Sequence, residues 1–478
     1  MEFIMKEPVS PTGQYVSSSA LSLSILGVLE FEVPIDDLPV MSLIKDVFLP
    51  INPRFSSIMV EDENGEKQWK RVEVELHNHV KIPIFPSGLS LELYDKCFDD
   101  YISGIGMEQL PITQPLWEIH IINYPTTTAA AVTIFKLHHS LGNGVSLMGA
   151  LLSCLQRADN PSLPLTFPSV SLPSNINDYN NNNNNNILNR VYEVFSVIYK
   201  TVSDFSWSII KSTLVEDDKS PIRSGDVGIE FRPMTMATMT FSLDQIRQIK
   251  TKLGTTVNDV ITGIIFLGTR LYMQEMSEES SKTRSTAVIL LNTRVFRGYE
   301  SIQDMVKPNA KTPWGNYFAF LHVPIPQYVT TDDATPSNPL EFVLKVQQIL
   351  SAKKNSLAVY LTAQLLKTLK KFRGPEAAAR FIHATSKNTS MGISNLMGPV
   401  EQIALANHLV KGLYFTVVGT PQSLGITMVS YNGKIRVAVK AEKDFIDISK
   451  FKCCLENAFQ KIFKVVYEIT YASQHVKG

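Results

Sequence analysis

The sequence predicts an α/β protein built from two parts of similar size. Strand-like and helix-like patterns alternate along most of its 478 residues. A proline-, serine- and asparagine-rich stretch interrupts them near the middle, and 44% of residues are hydrophobic, enough for a large buried core. We divide the chain into an N-terminal domain, 1–175, a segment of Asn-rich linker and amphipathic helix, 176–233, and a C-terminal domain, 234–478. Two α/β parts of this kind invite a ligand site at their interface.

In the N-terminal part, 72–80 reads as a strand with His77 and His79 on one face, but no third ligand accompanies them to make a metal site. A buried strand, 129–137, leads into His138-His139-Ser140-Leu141-Gly142-Asn143-Gly144, and an apolar helix at 145–155 follows. Residues 161–173 are rich in proline and serine, and 174–186 end in seven consecutive asparagines, a tract that buries nothing. Helical spacing then returns at 187–214, where Ile187, Val191, Val194, Ile198, Val202, Phe205 and Ile209 form one stripe. That stripe either packs on the protein's own core or lies in a membrane interface with Trp207 as an anchor. Thr256 opens a helix with capping-box spacing to Asp259, running to about residue 276. Strands are expected at 285–291 and 317–324. Asn432-Gly433 marks a hairpin between 424–431 and 434–439.

Composition excludes several classes. Lys+Arg and Asp+Glu balance at 45 each, which gives no electrostatic case for nucleic acid. Cys97, Cys154, Cys453 and Cys454 lack CxxC spacing and read as reduced thiols of a cytosol-facing protein. Residues 1–11 lack the apolar core of a signal peptide. No uninterrupted apolar run reaches the roughly 18 residues of a spanning helix. There is no GxSxG elbow, no GxxxxGK[ST] phosphate loop and no GxGxxG after a strand.

The chemistry concentrates in the double histidine. A histidine can take a proton from an alcohol because its ordinary pKa lies near neutrality. Consecutive residues on extended backbone point to opposite faces, so only one imidazole of the pair reaches a common site, which argues against joint metal chelation. The turn around Gly142 and Gly144 helps to orient the ring, with Gly144 permitting close backbone approach at the mouth of the helix.

The run is one letter short of the HHxxxDG signature of coenzyme-A-dependent acyltransferases, with Asn143 where that signature has aspartate. Further motifs extend the likeness over nearly the whole chain. They are Glu7-Pro8-Val9-Ser10-Pro11, Asn52-Pro53-Arg54-Phe55-Ser56-Ser57, Pro115-Leu116-Trp117-Glu118 and Asn258-Asp259-Val260. Asn292-Thr293-Arg294, Trp314-Gly315-Asn316 and Ser394-Asn395-Leu396-Met397-Gly398-Pro399 follow. In this order the sequence resembles the plant branch of the bifunctional wax ester synthase/diacylglycerol acyltransferase family.

The resemblance implies two chloramphenicol-acetyltransferase-like domains with the active site between them, and fatty acyl transfer from acyl-CoA to a long-chain alcohol or to diacylglycerol. It makes His139 the general base and His138 its support. Substrate binding falls to Pro115, Leu116, Trp117, Asn258, Asp259, Ser394 and Asn395, with Ser394 or Asn395 expected to stabilise the oxyanion. The acidic residue at the position of Asn143 ordinarily pairs with an arginine, and Arg294 is the candidate partner. An asparagine keeps that hydrogen bond without its charge assistance. No metal or organic cofactor is expected, with acyl-CoA as co-substrate. A membrane surface is an expected partner, at the cytosolic face of the endoplasmic reticulum and also the plasma membrane. Two alternatives stand beside this reading. One is a weakened paralogue that binds lipid or a protein partner. The other is an HxxxD-type acyltransferase acting on other alcohols, although its DFGWG motif is absent.

Overall fold

The computed structural model describes residues 7–63, 66–167, 187–292, 314–315, 318–328, 338–354 and 356–475. Two mixed sheets face each other. The first runs, in spatial order, Val80–Lys81, Trp117–Ile122, Ala131–His138, Ser24–Phe31, His408–Val418, Ile403–Leu405 and Leu155–Arg157. The second runs Phe318–Pro324, Thr286–Asn292, Met391–Met397, Leu424–Tyr431, Lys434–Glu442 and Met234–Ser242. A three-stranded sheet of Glu7–Pro8, Lys67–Arg71 and Ser57–Glu61 flanks the first.

Ser24–Phe31 is buried along its whole length because both of its faces are covered. Such a strand reads as a continuous apolar run rather than an alternation. One face meets the core around Phe48, Trp117, Phe135 and Leu151. The other joins a cluster in which Leu26, Val28 and Tyr414 of the first sheet meet Met234 and Ala438 of the second. The far side of the second sheet is covered by Val257–Met276, Pro339–Lys354 and Ile448–His475, which together build the largest core. Val257–Met276 is apolar nearly all round, as a helix enclosed by neighbours must be.

The sheets do not part at the 176–233 segment. His408–Val418, from deep in the C-terminal sequence, pairs antiparallel with Ser24–Phe31, from Val418↔Ser24 to Val410↔Phe31. Tyr431 of the second sheet locks this strap, donating to the Val410 carbonyl at 2.7 Å and accepting from the Ile403 N–H at 3.1 Å. The Thr427 hydroxyl donates to the Phe415 carbonyl across the same gap.

Several local expectations hold. Thr256 and Asp259 form the capping box, and Asn432 and Gly433 take φ values of 46° and 70°, the left-handed pair of a tight hairpin. Residues 72–80 do not form the expected strand. The strand ends at Arg71 and Leu76–His79 makes a single helical turn. His79 instead stacks on Trp117, ring centroids 4.2 Å apart, with Nδ1 2.7 Å from the Trp117 carbonyl. His77 stays at the surface, so the two histidines serve no common face.

Helix Ile187–Thr213 differs from a core-packed stripe. Ile198 and Val202 face solvent, whereas Thr201, Ser208, Lys211 and Ser212 point inward. No described helix is long and apolar enough to cross a membrane. Thr201 accepts from the Leu357 N–H, Ser208 meets His322 Nδ1, Ser212 accepts from the Thr385 hydroxyl, and Lys211 is satisfied by Asp217. Its carboxylate accepts from the Lys211 ammonium, from the N–H and hydroxyl of Thr286, and from the Ser390 hydroxyl. Both side chains of the Lys211–Asp217 pair are fully buried. Desolvation lowers the Lys211 pKa, with Asp217 opposing the shift. We predict that Asp217→Ala, which strands a buried ammonium, costs about 3–5 kcal/mol in urea unfolding. A double change to Lys211→Met and Asp217→Leu should recover most of that loss.

Candidate active site

Strand Ala131–His138 delivers the double histidine to the gap between the sheets. The backbone of the strand holds both residues in place. The His138 N–H donates to the Leu116 carbonyl at 3.0 Å, and the His139 N–H to the Leu23 carbonyl at 2.8 Å. Their side chains then diverge, as extended backbone requires.

His138 is buried and held at both ring nitrogens. The Ser140 N–H donates to Nδ1 at 3.2 Å, which leaves the proton on Nε2, 3.2 Å from the Ser22 hydroxyl. The Ser140 hydroxyl lies 2.7 Å from Nδ1. Burial drives the His138 pKa down to about 3, with the neighbouring His139, Lys67 and Lys136 adding to the shift. It is a neutral strut. Beyond it lies a cavity of about 490 Å³ of mixed character, with Ser17, Ser22 and Lys67 on its wall beside Met59, Ile112 and Leu116.

His139 borders two small cavities of about 60 Å³ each, which also share Leu290, Ser394 and Val417 in their walls. One is apolar, walled by Leu21, Leu23, Val288, Leu290, Phe320 and Ile382. The other runs past Asn143, Gly144, Val145, Asn395 and Leu396. The sheet itself makes this room. Registered pairs between Thr286–Asn292 and Met391–Met397 stop at Ile289↔Ile393, and beyond that point Leu290 and Ser394 border both cavities.

The turn after His139 is clamped from several directions. Trp314 donates its indole N–H to the Leu141 carbonyl at 2.8 Å, and Arg54 reaches the same oxygen at 3.3 Å. The Asn143 N–H donates to the Gly315 carbonyl at 3.3 Å, and the Ser146 hydroxyl approaches the same carbonyl at 3.3 Å. A Cβ on Gly142 would lie 3.0 Å from Ser146 Cβ and 3.5 Å from Trp314, so a side chain here would press on the start of the following helix. Gly144 is less constrained, its nearest neighbour being the Leu396 side chain at 3.4 Å. Asn143 is the N-cap of helix Gly144–Ser153, its side-chain oxygen accepting from the Ser146 N–H at 3.1 Å. Arg294 lies outside the described residues, as does Asn316.

The remaining sequence motifs divide by position. Trp117 is fully buried, donating to the Phe55 carbonyl at 2.8 Å, and Pro115 supports it by accepting its N–H. Leu116 borders the cavity on the His138 side. Asp259 is spent on the capping box. Asn258 accepts from the Asn395 amide at 3.1 Å, which holds Asn395 toward helix Val257–Met276. Ser394, the next residue along the strand, borders both His139 cavities.

Other site residues carry no signal in the sequence. Ser22 and Ser140 fix the His138 tautomer. Lys440 is buried behind the apolar cavity, its ammonium 2.7 Å from the Thr420 hydroxyl and its stem packed over Gly425. Desolvation pushes its pKa down to about 8, against the pull of Glu230 and Glu442. Thr420, Gln422 and Gly425 all border the apolar cavity beside His139.

Two facing sheets bridged by a shared strand, with a histidine bordering two cavities between them, define a two-lobed α/β fold. The match to solved structures agrees. A wax ester synthase/diacylglycerol acyltransferase from Marinobacter aquaeolei VT8 superposes with a TM-score of 0.58 over 96% of this chain and 99% of its own, at 16% identity. The first condensation domain of the CDA synthetase gives 0.51 over 93% and 90%, at 10% identity. In sequence, residues 49–261 match the wax ester synthase/diacylglycerol acyltransferase catalytic domain, and 314–463 match the C-terminal domain of the same family. The chain belongs to the wax ester synthase/diacylglycerol acyltransferase family. Among its relatives is wax ester synthase/diacylglycerol acyltransferase 4 of Arabidopsis thaliana, 29% identical over 91% of this chain and 85% of that protein. Number 5 of the same series is 28% identical over 97% and 95%.

The capping role of Asn143 generates a test. Asn143→Ala should cost about 1 kcal/mol of stability in thermal unfolding, the usual price of a lost N-cap. Asn143→Asp keeps the cap and should stay within about 0.5 kcal/mol of the wild type.

Proposed function

We propose that this acyltransferase moves a fatty acyl group from acyl-CoA to a long-chain alcohol, with diacylglycerol as a second acceptor, and that His139 is the general base. The observation that carries this reading is the position of His139. It borders both an apolar cavity, suited to an alkyl chain, and a second cavity that shares Leu290, Ser394 and Val417 with the first. An acceptor hydroxyl and a thioester arriving through different openings would meet there.

The reaction then follows from ordinary chemistry. His139 takes the proton from the acceptor hydroxyl as its oxygen attacks the thioester carbon. Negative charge gathers on the former carbonyl oxygen, and Ser394, which borders both cavities, is the donor we assign to it; the Asn395 amide already gives an N–H to Asn258. The C–S bond breaks as the carbonyl re-forms, and protonated His139 returns its proton to the coenzyme-A thiolate. Lys440, behind the cavity wall, adds a positive potential to this region below its pKa. A thioester is already activated, so the chain's own residues suffice for each of these steps.

The two alternatives are less well supported. Asn143 retains its cap, and the turn is held by Trp314, Arg54 and Ser146, so the missing aspartate leaves its fold intact. An apolar wall suits a fatty acceptor better than a small polar alcohol. Acceptors of this kind dissolve in bilayers, which assigns the enzyme to a membrane surface; we place it at the cytosolic face of the endoplasmic reticulum, and also at the plasma membrane.

The purified chain, given labelled palmitoyl-CoA with hexadecanol or a diacylglycerol, should form wax ester or triacylglycerol. His139→Ala should lower the rate roughly 10²- to 10⁴-fold, the range for loss of a general base. A folded wild type that forms neither product, or a His139→Ala variant of undiminished rate, contradicts the assignment.

A further inference from the structure

Helix Ile187–Thr213 is inverted for a surface helix. Its inward side carries Thr201, Ser208, Lys211 and Ser212, while Ile198, Tyr199, Val202, Trp207, Ile210 and Leu214 face outward. Tyr199 is 76% exposed and Leu214 is 80% exposed. Large apolar side chains turned to solvent in a continuous stripe mark an interaction surface.

This stripe adjoins a second one. The N–H of Leu357 donates to the Thr201 hydroxyl at 3.1 Å, so helix Ala358–Lys387 starts beside the first helix. Its solvent side carries Leu357, Tyr360 and Leu361, then Lys367, Lys371 and Phe372. Phe372 is 75% exposed at the point where the helix breaks at Gly374, and the Lys371 ammonium lies 5.6 Å from its ring. Between Leu357 and Arg373 the sequence has Lys367, Lys370, Lys371 and Arg373 and no carboxylate; Lys370 pairs with Glu66 at 3.4 Å, and Lys367, Lys371 and Arg373 are exposed. The chain as a whole is balanced at 45 cations and 45 anions, so this local excess is not a by-product of a basic protein.

The inner side of the same helix leads to the active site. Leu366 and Leu369 pack with Tyr15, Val16, Leu21 and Ile382, and both Leu21 and Ile382 wall the apolar cavity at His139.

We propose that these two adjoining stripes are a docking surface for an anionic bilayer, which sets the wall of the apolar cavity against the lipid that supplies its acceptor. The inference rests on the acyltransferase reading for that last step, but the docking itself does not. Aromatic and aliphatic side chains enter the headgroup boundary, and the lysines meet lipid phosphates and carboxylates. A second copy of this chain fits less well, because a self-complementary interface would bring the cations of one stripe against those of the other.

Vesicle flotation of the full chain tests this, using phosphatidylcholine alone and phosphatidylcholine with phosphatidylserine, at low and high salt. The wild type should float with the anionic vesicles, and less so with the neutral ones or at high salt. Lys367→Gln with Lys371→Gln should weaken partitioning roughly fivefold per charge removed. The triple change Trp207→Ser, Ile210→Ser and Phe372→Ser should abolish flotation. In parallel, transfer of a short acyl chain from its coenzyme-A thioester to a short water-soluble alcohol, without vesicles, should be unchanged in both variants. Absence of that transfer in the wild type counts against the catalytic reading and leaves docking to be decided by flotation. A wild type that stays in solution, binding that ignores anionic lipid, or variants that float as the wild type does overturns the proposal. So does a stable dimer that the triple change dissolves.

Discussion

The hydrogen bond from the Trp314 indole to the Leu141 carbonyl joins the turn after His139 to the C-terminal half of the sequence. Residues 139–143 belong to neither the strand before them nor the helix after them, so their backbone groups depend on partners from elsewhere. Arg54 supplies one from the N-terminal part, itself paired with Glu7, and Trp314 and Gly315 supply the rest. The ring of Phe55 packs edge-on to Trp314 at 5.9 Å, while Trp117 donates to the Phe55 carbonyl. Four sequence motifs separated by up to about 300 positions thus converge on one turn. Most of them serve to place the histidines and do not border the His139 cavities themselves.

The shared strand makes that convergence obligatory. His408–Val418 lies in the first sheet, yet it is followed directly by the strands that complete the second. Phe415 and Val417 of that strand, Ser394 of the second sheet and Ile25 of the first all border the cavity at His139. Neither half of the sequence contains the site alone. The two imidazoles also divide their work by environment: His138 is locked neutral by burial and by the Ser140 N–H, and His139 borders the two cavities.

What could be read from the sequence follows the range of the interactions concerned. The capping box at Thr256 and the hairpin at Asn432-Gly433 are settled within four residues, and both are present. The strand, turn and helix around the double histidine are equally local. Residues 72–80 misled because their apparent alternation is overruled by one tertiary contact, His79 stacking on Trp117. For helix Ile187–Thr213 the period was visible but its orientation was not, since Lys211 faces inward only because Asp217 waits there. The strap at 403–418 and the burial of Lys440 beside Thr420 depend on pairings that no local pattern encodes. Trp314-Gly315 stood out as a motif, but its purpose as a clamp emerges only when it meets Leu141.

If His139 is the base we propose, this clamp is what orients its ring. The most direct measurement is single-turnover acyl transfer by Trp314→Phe, which keeps the aromatic packing against Phe55 and removes only the indole donor. A slower chemical step at unchanged acyl-CoA affinity and little change in melting temperature is the expected result. A chemical rate equal to that of the wild type would mean that the turn holds His139 in place without Trp314.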